Sequence, residues 1–504
     1  MKTFFRCWAL VICSFLSAAA APAQTPRIDP AGIPGPLLLC GSGEVSQTTL
    51  ERFIDLAGGE KAKIIVLTAE HDPVLLPFIK ALSAAAKKKE ARDPHFVFAS
   101  DPEDGLRDAT GVWLRADAAK NWQGALKKHP IAGDLRAVLQ RGGVIATAGP
   151  GVELLDVSNL DLLPSGFVEA GLPASAEPKL GTGLVGFRID SGGVMLVTGR
   201  TISALDKKAT IYVAGNPLRK LNVEGKIQED LTALRRSARD RQESFPPKTV
   251  EPPVVEKGTL VIVGGGGSPE GLYKKFVEYA GGEGKANIVI FPTAAAVPLP
   301  KREAVAAAFK KAGAKKATVL YGQTQAEVES KAFLDTLKEA TGLWFDGGRQ
   351  WRFVDCYENT KALPLMFDVL KRGGVIGGTS AGATIQGEYL ARGGVFDNFA
   401  IRYEGYERGL GFLKGVAIDQ HFTQRKRQGE MTSLMKIYPQ YLGIGLDEAT
   451  AIVVKGSVAD VIGKGKAHFY DANRKVEKGQ PDYDALSAGG RYDLKARKVL
   501  TAEK

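Results

Sequence analysis

The chain has 504 residues, too many for one ordinary core, so two domains of about 200 residues or more are expected. At 44% hydrophobic and 24% charged residues it is neither disordered nor fibrous. The net charge of +11 comes from basic residues mixed with acids, as in Lys87-Lys88-Lys89-Glu90, rather than with aromatics, which argues against nucleic-acid binding.

In chain order the first feature is a leader. Lys2 and Arg6 precede the apolar run Trp8–Leu16, and Ala21-Pro22-Ala23 supplies small residues where a signal peptidase reads. Cleavage after Ala23 is predicted, since the run is shorter than the roughly 20 residues a membrane span needs. Loss of Lys2 and Arg6 leaves +9, and the expected location is periplasmic or extracellular, with no membrane attachment after cleavage. Cys7 and Cys13 leave with the leader. Cys40 closes an apolar run and reads as a buried thiol, unpaired with the distant Cys356. With five histidines and no Cys/His cluster, neither a metal nor a cofactor is predicted.

The rest of the chain is one unit written twice. Gly35–Gly43 answers to Gly258–Gly266, Ala57–Ala69 to Ala280–Ala294, and Ala109–Leu114 to Ala340–Phe345. Arg141–Ile145 answers to Arg372–Ile376, and Gly186–Asp190 to Gly443–Asp447. Short apolar runs bordered by glycine alternate with amphipathic helical patterns such as Leu272–Tyr279, which signals parallel sheets covered on both faces. The predicted fold class is α/β: two tandem three-layer α/β/α domains, the first a degenerate copy. The expected boundaries are a signal peptide at 1–23, a non-catalytic repeat at 24–236, a charged, Pro-rich linker at 237–256 and a catalytic domain at 257–504.

In the second half, Gly374-Val375-Ile376 runs into Gly378-Thr379-Ser380-Ala381-Gly382. A serine on a tight strand-to-helix turn projects its hydroxyl above the sheet, flanking glycines let helix and strand approach, and the helix N-terminus faces a developing oxyanion. His421, in Asp419-Gln420-His421-Phe422, follows the strand-like Gly415–Ile418, and the carboxyl ends of strands are where such sheets assemble sites. His468 reads as an exposed strand residue. The Gly264–Ser268 run lacks the spacing of a dinucleotide or phosphate loop and reads as backbone making room beside the site.

Gly347-Gly348-Arg349-Gln350, the Ser380 turn, the Asp419–Phe422 block with its following arginines, and Gly443–Ala451 stand in an order that resembles the cyanophycinase and dipeptidase E family of serine peptidases. The resemblance covers residues 257 to 500 and implies a fold similar to class I glutamine amidotransferases. It implies Ser380 as nucleophile and His421 as general base, with an acyl-enzyme intermediate. The family's third member, a carboxylate between serine and histidine, falls on Asp397, with Glu404, Glu407 and Asp447 as alternatives. It offers the Gly348 and Ala381 amides for the oxyanion, and Gln350, Asp419, Gln420, Arg425 and Arg427 for substrate. Glu430 stands where the family often carries a further arginine, which bears on substrate choice.

The first half lacks these groups. Gly149 aligns with Ser380, residues 116–119 replace the Gly-Gly-Arg-Gln segment, and a shorter Gly151–Gly186 interval suggests a deleted histidine segment. The expected activity is that of an exported serine peptidase for β-aspartyl or isoaspartyl bonds, with cyanophycin, a β-Asp-Arg polymer, as one candidate. The expected partners are a peptide substrate and either a second copy or the first half acting as an internal pseudo-subunit. Two other readings stay open: a serine esterase, in which His468 would be the base, and a silent binding protein of the same fold.

Overall fold

A computed structural model describes residues 28–68, 75–98, 103–115, 131–149, 167–170, 180–181, 183–206, 209–225 and 227–501. The expected leader and residues 116–119 lie outside these.

In the second half, Leu260-Val261-Ile262-Val263 is a continuous apolar run because both faces of its strand are covered. Leu260 and Ile262 pack into one core with Phe353, Val354, Met366 and Val369, which come from the helices Gln350–Tyr357 and Ala362–Lys371. Val261 and Val263 enter the other core with Leu272, Phe276 and Phe309, from the helices Leu272–Tyr279 and Glu303–Lys311. Period-two alternation thus builds three layers. This strand, Val255–Val263, sits mid-sheet, parallel to Val375–Thr379 and antiparallel to Thr450–Gly456. The parallel side continues through Gly342–Phe345, Asn287–Phe291 and Lys316–Val319. A second sheet runs Gly387–Leu390, Leu413–Gln420, Leu442–Leu446, Ala467–Asp471 and Asp484–Leu486.

The first half repeats the plan. Ile33–Cys40 is parallel to Val144–Ala148 and antiparallel to Val194–Gly199, and the parallel side extends through Gly111–Arg115, Ile64–Thr68 and His95–Phe98. Its second sheet holds Phe167–Ala170, Val185–Ile189, Ala209–Val213 and Arg219–Val223. Leu37 and Leu39 face one core while Leu38 and Cys40 face the other. Cys40 and Cys356 are both buried free thiols.

The expected boundary at residue 236 falls inside a helix. Leu231–Gln242 is capped by the Asp230 carboxylate on the Thr232 amide and continues well past 236, because both halves bury it: Leu231, Leu234 and Ala238 join the first half's core, Ala233 joins the second's, and nine of its twelve residues are buried, among them Arg236, Arg239 and Asp240. Its charges are matched across the contact. Arg236 reaches Asp355 at 2.5 Å and Glu358 at 2.9 Å, Arg239 reaches Glu358 at 2.9 Å, and Asp240 accepts from Arg408 at 2.7 Å. The proline-rich segment that follows lies against the second half: Gln440 donates to the Pro247 carbonyl, and a Cβ on Gly415 would stand 2.4 Å from the Glu251 oxygen.

The backbones of the two halves lie against one another at Gly405. Its φ is +86°, and a Cβ there would lie 1.9 Å from the Ala233 carbonyl oxygen. Gly405→Ala is expected to cost about 1–3 kcal/mol from backbone strain alone, with more from the clash, read as a lowered denaturation midpoint in thermal or urea unfolding.

Candidate active site

The site forms where the parallel strands of the second half end. Val263 pairs with Thr379, and the next residue, Ser380, turns into the helix Ala381–Thr384 with φ +55° and ψ −113°. A non-glycine residue in that region costs about 1–3 kcal/mol and persists only when its surroundings over-determine it. Here the Ser380 amide donates to the Val263 carbonyl at 3.0 Å. Gly378 and Gly382 are the reason the turn closes: a Cβ on the first would meet the Gly382 carbonyl oxygen at 2.4 Å, and one on the second would meet the Phe345 oxygen at 2.0 Å.

His421 ends the neighbouring path. The strand Leu413–Gln420 delivers it beside the serine, its amide donates to the Gly264 oxygen at 2.8 Å, and its own φ is +50°. The Ser380 Oγ to His421 Nε2 distance is 2.9 Å, and His421 Nδ1 lies 2.6 Å from Glu448 Oε1. A carboxylate can only accept, so Nδ1 carries the hydrogen and Nε2 is left to accept from the serine. Burial pushes the imidazole below its usual 6.5, Arg425 and Arg427 push the same way, and the Glu448 hydrogen bond opposes them.

The glycine run after Val263 packs on this pair. A Cβ on Gly265 would stand 2.4 Å from the His421 ring, and one on Gly266 would stand 2.3 Å from the Glu448 carboxyl. These glycines hold backbone against the ring and its acid, the room-making role that their spacing suggested.

The acid on His421 is therefore Glu448, not Asp397. Asp397 turns back on its own loop, accepting from the amides of Phe399 and Ala400 at 2.9 and 3.2 Å. Of the alternatives, Glu404 accepts from Ser237, Glu407 accepts from the Tyr389 hydroxyl, and Asp447 takes His468 Nε2 at 3.3 Å. Asp447 is held near 2: burial alone would raise it, but hydrogen bonds from His468, Thr423 and the Lys466 amide outweigh that. His468 is not the exposed strand residue expected but a buried one, its ring tilted against Phe422 at 5.2 Å. Glu448 is the second residue beyond the strand Leu442–Leu446, and that this strand runs parallel beside the one that carries His421 is a pairing made by the fold.

The substrate candidates divide. Arg425 is exposed three residues beyond Phe422, with no ion pair among the described residues. Asp419 and Arg427 are instead buried in a network centred on a residue that the sequence did not single out, Arg392. Asp419 accepts from Arg392 Nε at 3.1 Å and from Arg427 at 2.7 Å, and Arg392 also meets Glu430 at 2.5 Å. Burial, with Arg392 and Arg425 close by, lowers Arg427 to about 10 against the pull of Asp419, so it stays charged. Gln350 is buried too, its amide donating to the carbonyls of Ala391 and Arg392 at 3.0 and 2.6 Å. Gln420 is buried with Oε1 lacking a hydrogen-bond partner.

The oxyanion candidates sit next to the serine. A Cβ on Gly347 would lie 3.4 Å from Ser380 Cβ, which places the Gly347–Arg349 turn against the nucleophile. In that turn the Gly347 amide donates to Asp346 and the Arg349 amide to the Ala294 oxygen. That leaves the Gly348 amide, at φ +148°, without an acceptor among the described residues. Ala381 opens its helix, where amides have no partner within the helix.

The first half keeps this frame without its chemistry. Cys40 pairs with Ala148 as Val263 pairs with Thr379, and Gly149 follows with the same φ of +55° as Ser380. The strand Phe167–Ala170 pairs with Val185–Ile189 as Leu413–Gln420 pairs with Leu442–Leu446. The strand before the histidine is therefore present rather than deleted, a point that counting the interval could not reveal, and in register Ala170 takes the place of Gln420, so that Gly171 follows in sequence where His421 stands. Ser191 stands where Glu448 does: a Cβ on Gly41 would meet the Asp190 oxygen at 1.9 Å, as one on Gly264 would meet the Asp447 oxygen at 2.1 Å. No nucleophile, base or acid survives at these three positions.

The chain is similar to known peptidases. The sequence model of peptidase family S51 matches residues 259–462. Cyanophycinase of Geminocystis herdmanii is 30% identical over 221 residues, covering 43% of this chain and 81% of that protein. Cyanophycinase of Trichormus variabilis is 29% identical over 287 residues, covering 52% and 96%. A solved peptidase from an acI-B1 actinobacterium aligns over 47% of this chain and 97% of its own at 23% identity, with a TM-score of 0.37. By the cyanophycinase of Geminocystis herdmanii and the matching sequence model the chain belongs to peptidase family S51, a family of serine-type peptidases.

Proposed function

We propose that this chain is an exported serine peptidase that cleaves peptide bonds made through the β-carboxyl of aspartate. The observation that carries the reading is the line from Ser380 Oγ through His421 to Glu448, at 2.9 and 2.6 Å. Ser380 Oγ attacks the scissile carbonyl while His421 Nε2 takes its proton, and Glu448 stabilises the imidazolium. The Gly348 and Ala381 amides receive the oxyanion. His421 then hands the proton to the departing amine as the C–N bond breaks, and water, activated by the same imidazole, releases the acyl group and restores the serine.

Ser380→Ala and Glu448→Gln are expected to lower kcat by about 10³-fold or more, while Asp397→Asn stays near wild type. Steady-state kinetics on one substrate separate these, and a dead Asp397→Asn beside an active Glu448→Gln would reverse the assignment. The base must be neutral to act. Because its folded value lies below 6.5, activity is retained at pH 6.5 and is lost only as pH falls through that lower value. A pH profile of kcat/KM with its acid limb above 6.5 would contradict this.

The β-aspartyl substrate rests on the cyanophycinase names of the relatives and on two groups beside the base. Arg425 is an exposed cation suited to a carboxylate, and Gln420 Oε1, though buried, has no hydrogen-bond partner to give up in accepting from a substrate donor. Glu430 neutralises the outer edge of Arg392, so the site presents less positive charge than an arginine at 430 would give it. Hydrolysis of a β-Asp-Arg polymer and of β-aspartyl dipeptides by wild type and Glu430→Arg is expected to shift preference toward the more acidic substrate in the variant. Equal rates from both enzymes on both substrates would remove Glu430 from specificity.

Export rests on the leader pattern at residues 1–23. The mature chain is expected to begin at Gln24, which N-terminal sequencing of protein recovered from a periplasmic fraction checks.

A further inference from the structure

The two walls of the active site are each fastened, away from the chemistry, to the first half. One wall is the helix Gln350–Tyr357, whose leading turn carries the Gly348 amide. About 7–8 Å along it from Gln350 stands Asp355, which receives Arg236 at 2.5 Å and Arg200 at 2.6 Å, and just past its end Glu358 receives Arg236 and Arg239, each at 2.9 Å. The Tyr406 hydroxyl donates to the same Asp355 at 2.6 Å. The other wall is the loop that includes Tyr406. Its Glu404 accepts from Ser237 and Arg219, both at 2.6 Å, and its Arg408 pairs with Asp240 and Glu243, both at 2.7 Å.

The two walls meet at Gln350. Its side chain donates to the carbonyls of Ala391 and Arg392, and Arg392 grips Asp419, two residues before the catalytic histidine. A continuous polar path thus leads from the first half to the oxyanion turn on one side and to the strand bearing His421 on the other.

We infer that the catalytically empty first half is a built-in activator: Arg200, Arg236 and Arg239 are positioning residues that hold the helix Gln350–Tyr357, and with it the Gly348 amide, in register with Ser380. This explains why a repeat without nucleophile or base keeps three arginines almost fully matched to acids of its partner domain. The inference rests on the serine peptidase reading above and adds to it a role for the other half of the chain. Oxyanion contacts strengthen in the transition state, so a slackened clamp lowers kcat and leaves KM alone.

The test uses the full-length chain with Arg236→Met and Arg236→Lys. Removing Arg236 leaves Asp355 on Arg200 and Glu358 on Arg239, so no acid loses its last partner. Two readouts are taken: kcat and KM on a β-aspartyl dipeptide, and the rate at which a fluorophosphonate labels Ser380, in which the Oγ–P bond forms, fluoride leaves and His421 takes the hydroxyl proton. Arg236→Met is expected to lower kcat and the labelling rate tenfold or more with KM within twofold. Arg236→Lys should fall between, and the acid limb of the pH profile should stay in place because His421 and Glu448 are untouched. A folded Arg236→Met with labelling and kcat within twofold of wild type overturns the clamp, as does a rise in KM with kcat unchanged. If Arg236→Met does not fold, Arg239→Gln decides on the same criteria. A wild type that the probe fails to label at Ser380 sinks the peptidase reading instead.

Discussion

Everything at the site depends on backbone lying against backbone where the parallel strands end. Ser380 can sit at φ +55° only because Gly378 and Gly382 let the strand, the turn and the Phe345 carbonyl close on one another. His421 can reach the serine only because Gly264, Gly265 and Gly266 put main chain where side chains would collide with the Asp447 oxygen, the imidazole and the Glu448 carboxyl. Glycine supplies this at a cost in chain entropy, which the densely packed cores on both sheet faces offset. The same crowding persists at Gly41 in the first half and Gly149 keeps the φ of Ser380, so the frame there outlives the reaction it would serve.

Charge is used in two ways. Around Asp419, two arginines make a compact network beneath the site in which no member is available to a ligand without breaking a buried pair, while the half-exposed Glu430 closes its outer edge. Between the halves, Arg236 is about as buried as any leucine in the core, yet it meets two carboxylates. Replacing such pairs by apolar side chains can be neutral, whereas removing a sole partner costs about 3–5 kcal/mol. What the arginines contribute over apolar contact is direction: a guanidinium fork binds an acid in one geometry and so specifies one placement of the helix Gln350–Tyr357.

The proximity of Glu448 and Asp447 shows how neighbouring acids acquire different work. Asp447 points to His468, Thr423 and the Lys466 amide and fastens the loops under the base. Glu448, one residue on, reaches His421 with a half-exposed side chain. Successive residues beyond a strand face opposite ways, so one closes the structure and the other completes the triad.

Much of this was legible in the linear chain. The internal repeat, the alternating apolar runs, the G-x-S-x-G turn and the Asp-Gln-His-Phe block are local patterns, and local patterns determine strands, turns and which half can carry a nucleophile. The third triad residue was not legible, because the family resemblance placed an acid between serine and histidine while the contact is made by one that follows both, beyond an adjacent strand. Nothing in the linear chain singled out Arg392 or the arginines of Leu231–Gln242. Burial against the other half, a property of the packed pair and of no segment alone, turned them into the fastenings of the site. The sequence by itself determined the repeat and the Ser380 turn. Only the tertiary structure decided which carboxylate serves His421, which charges are free for substrate and where the first half holds the second, because each is a contact between side chains that the fold brings together from far apart in the chain.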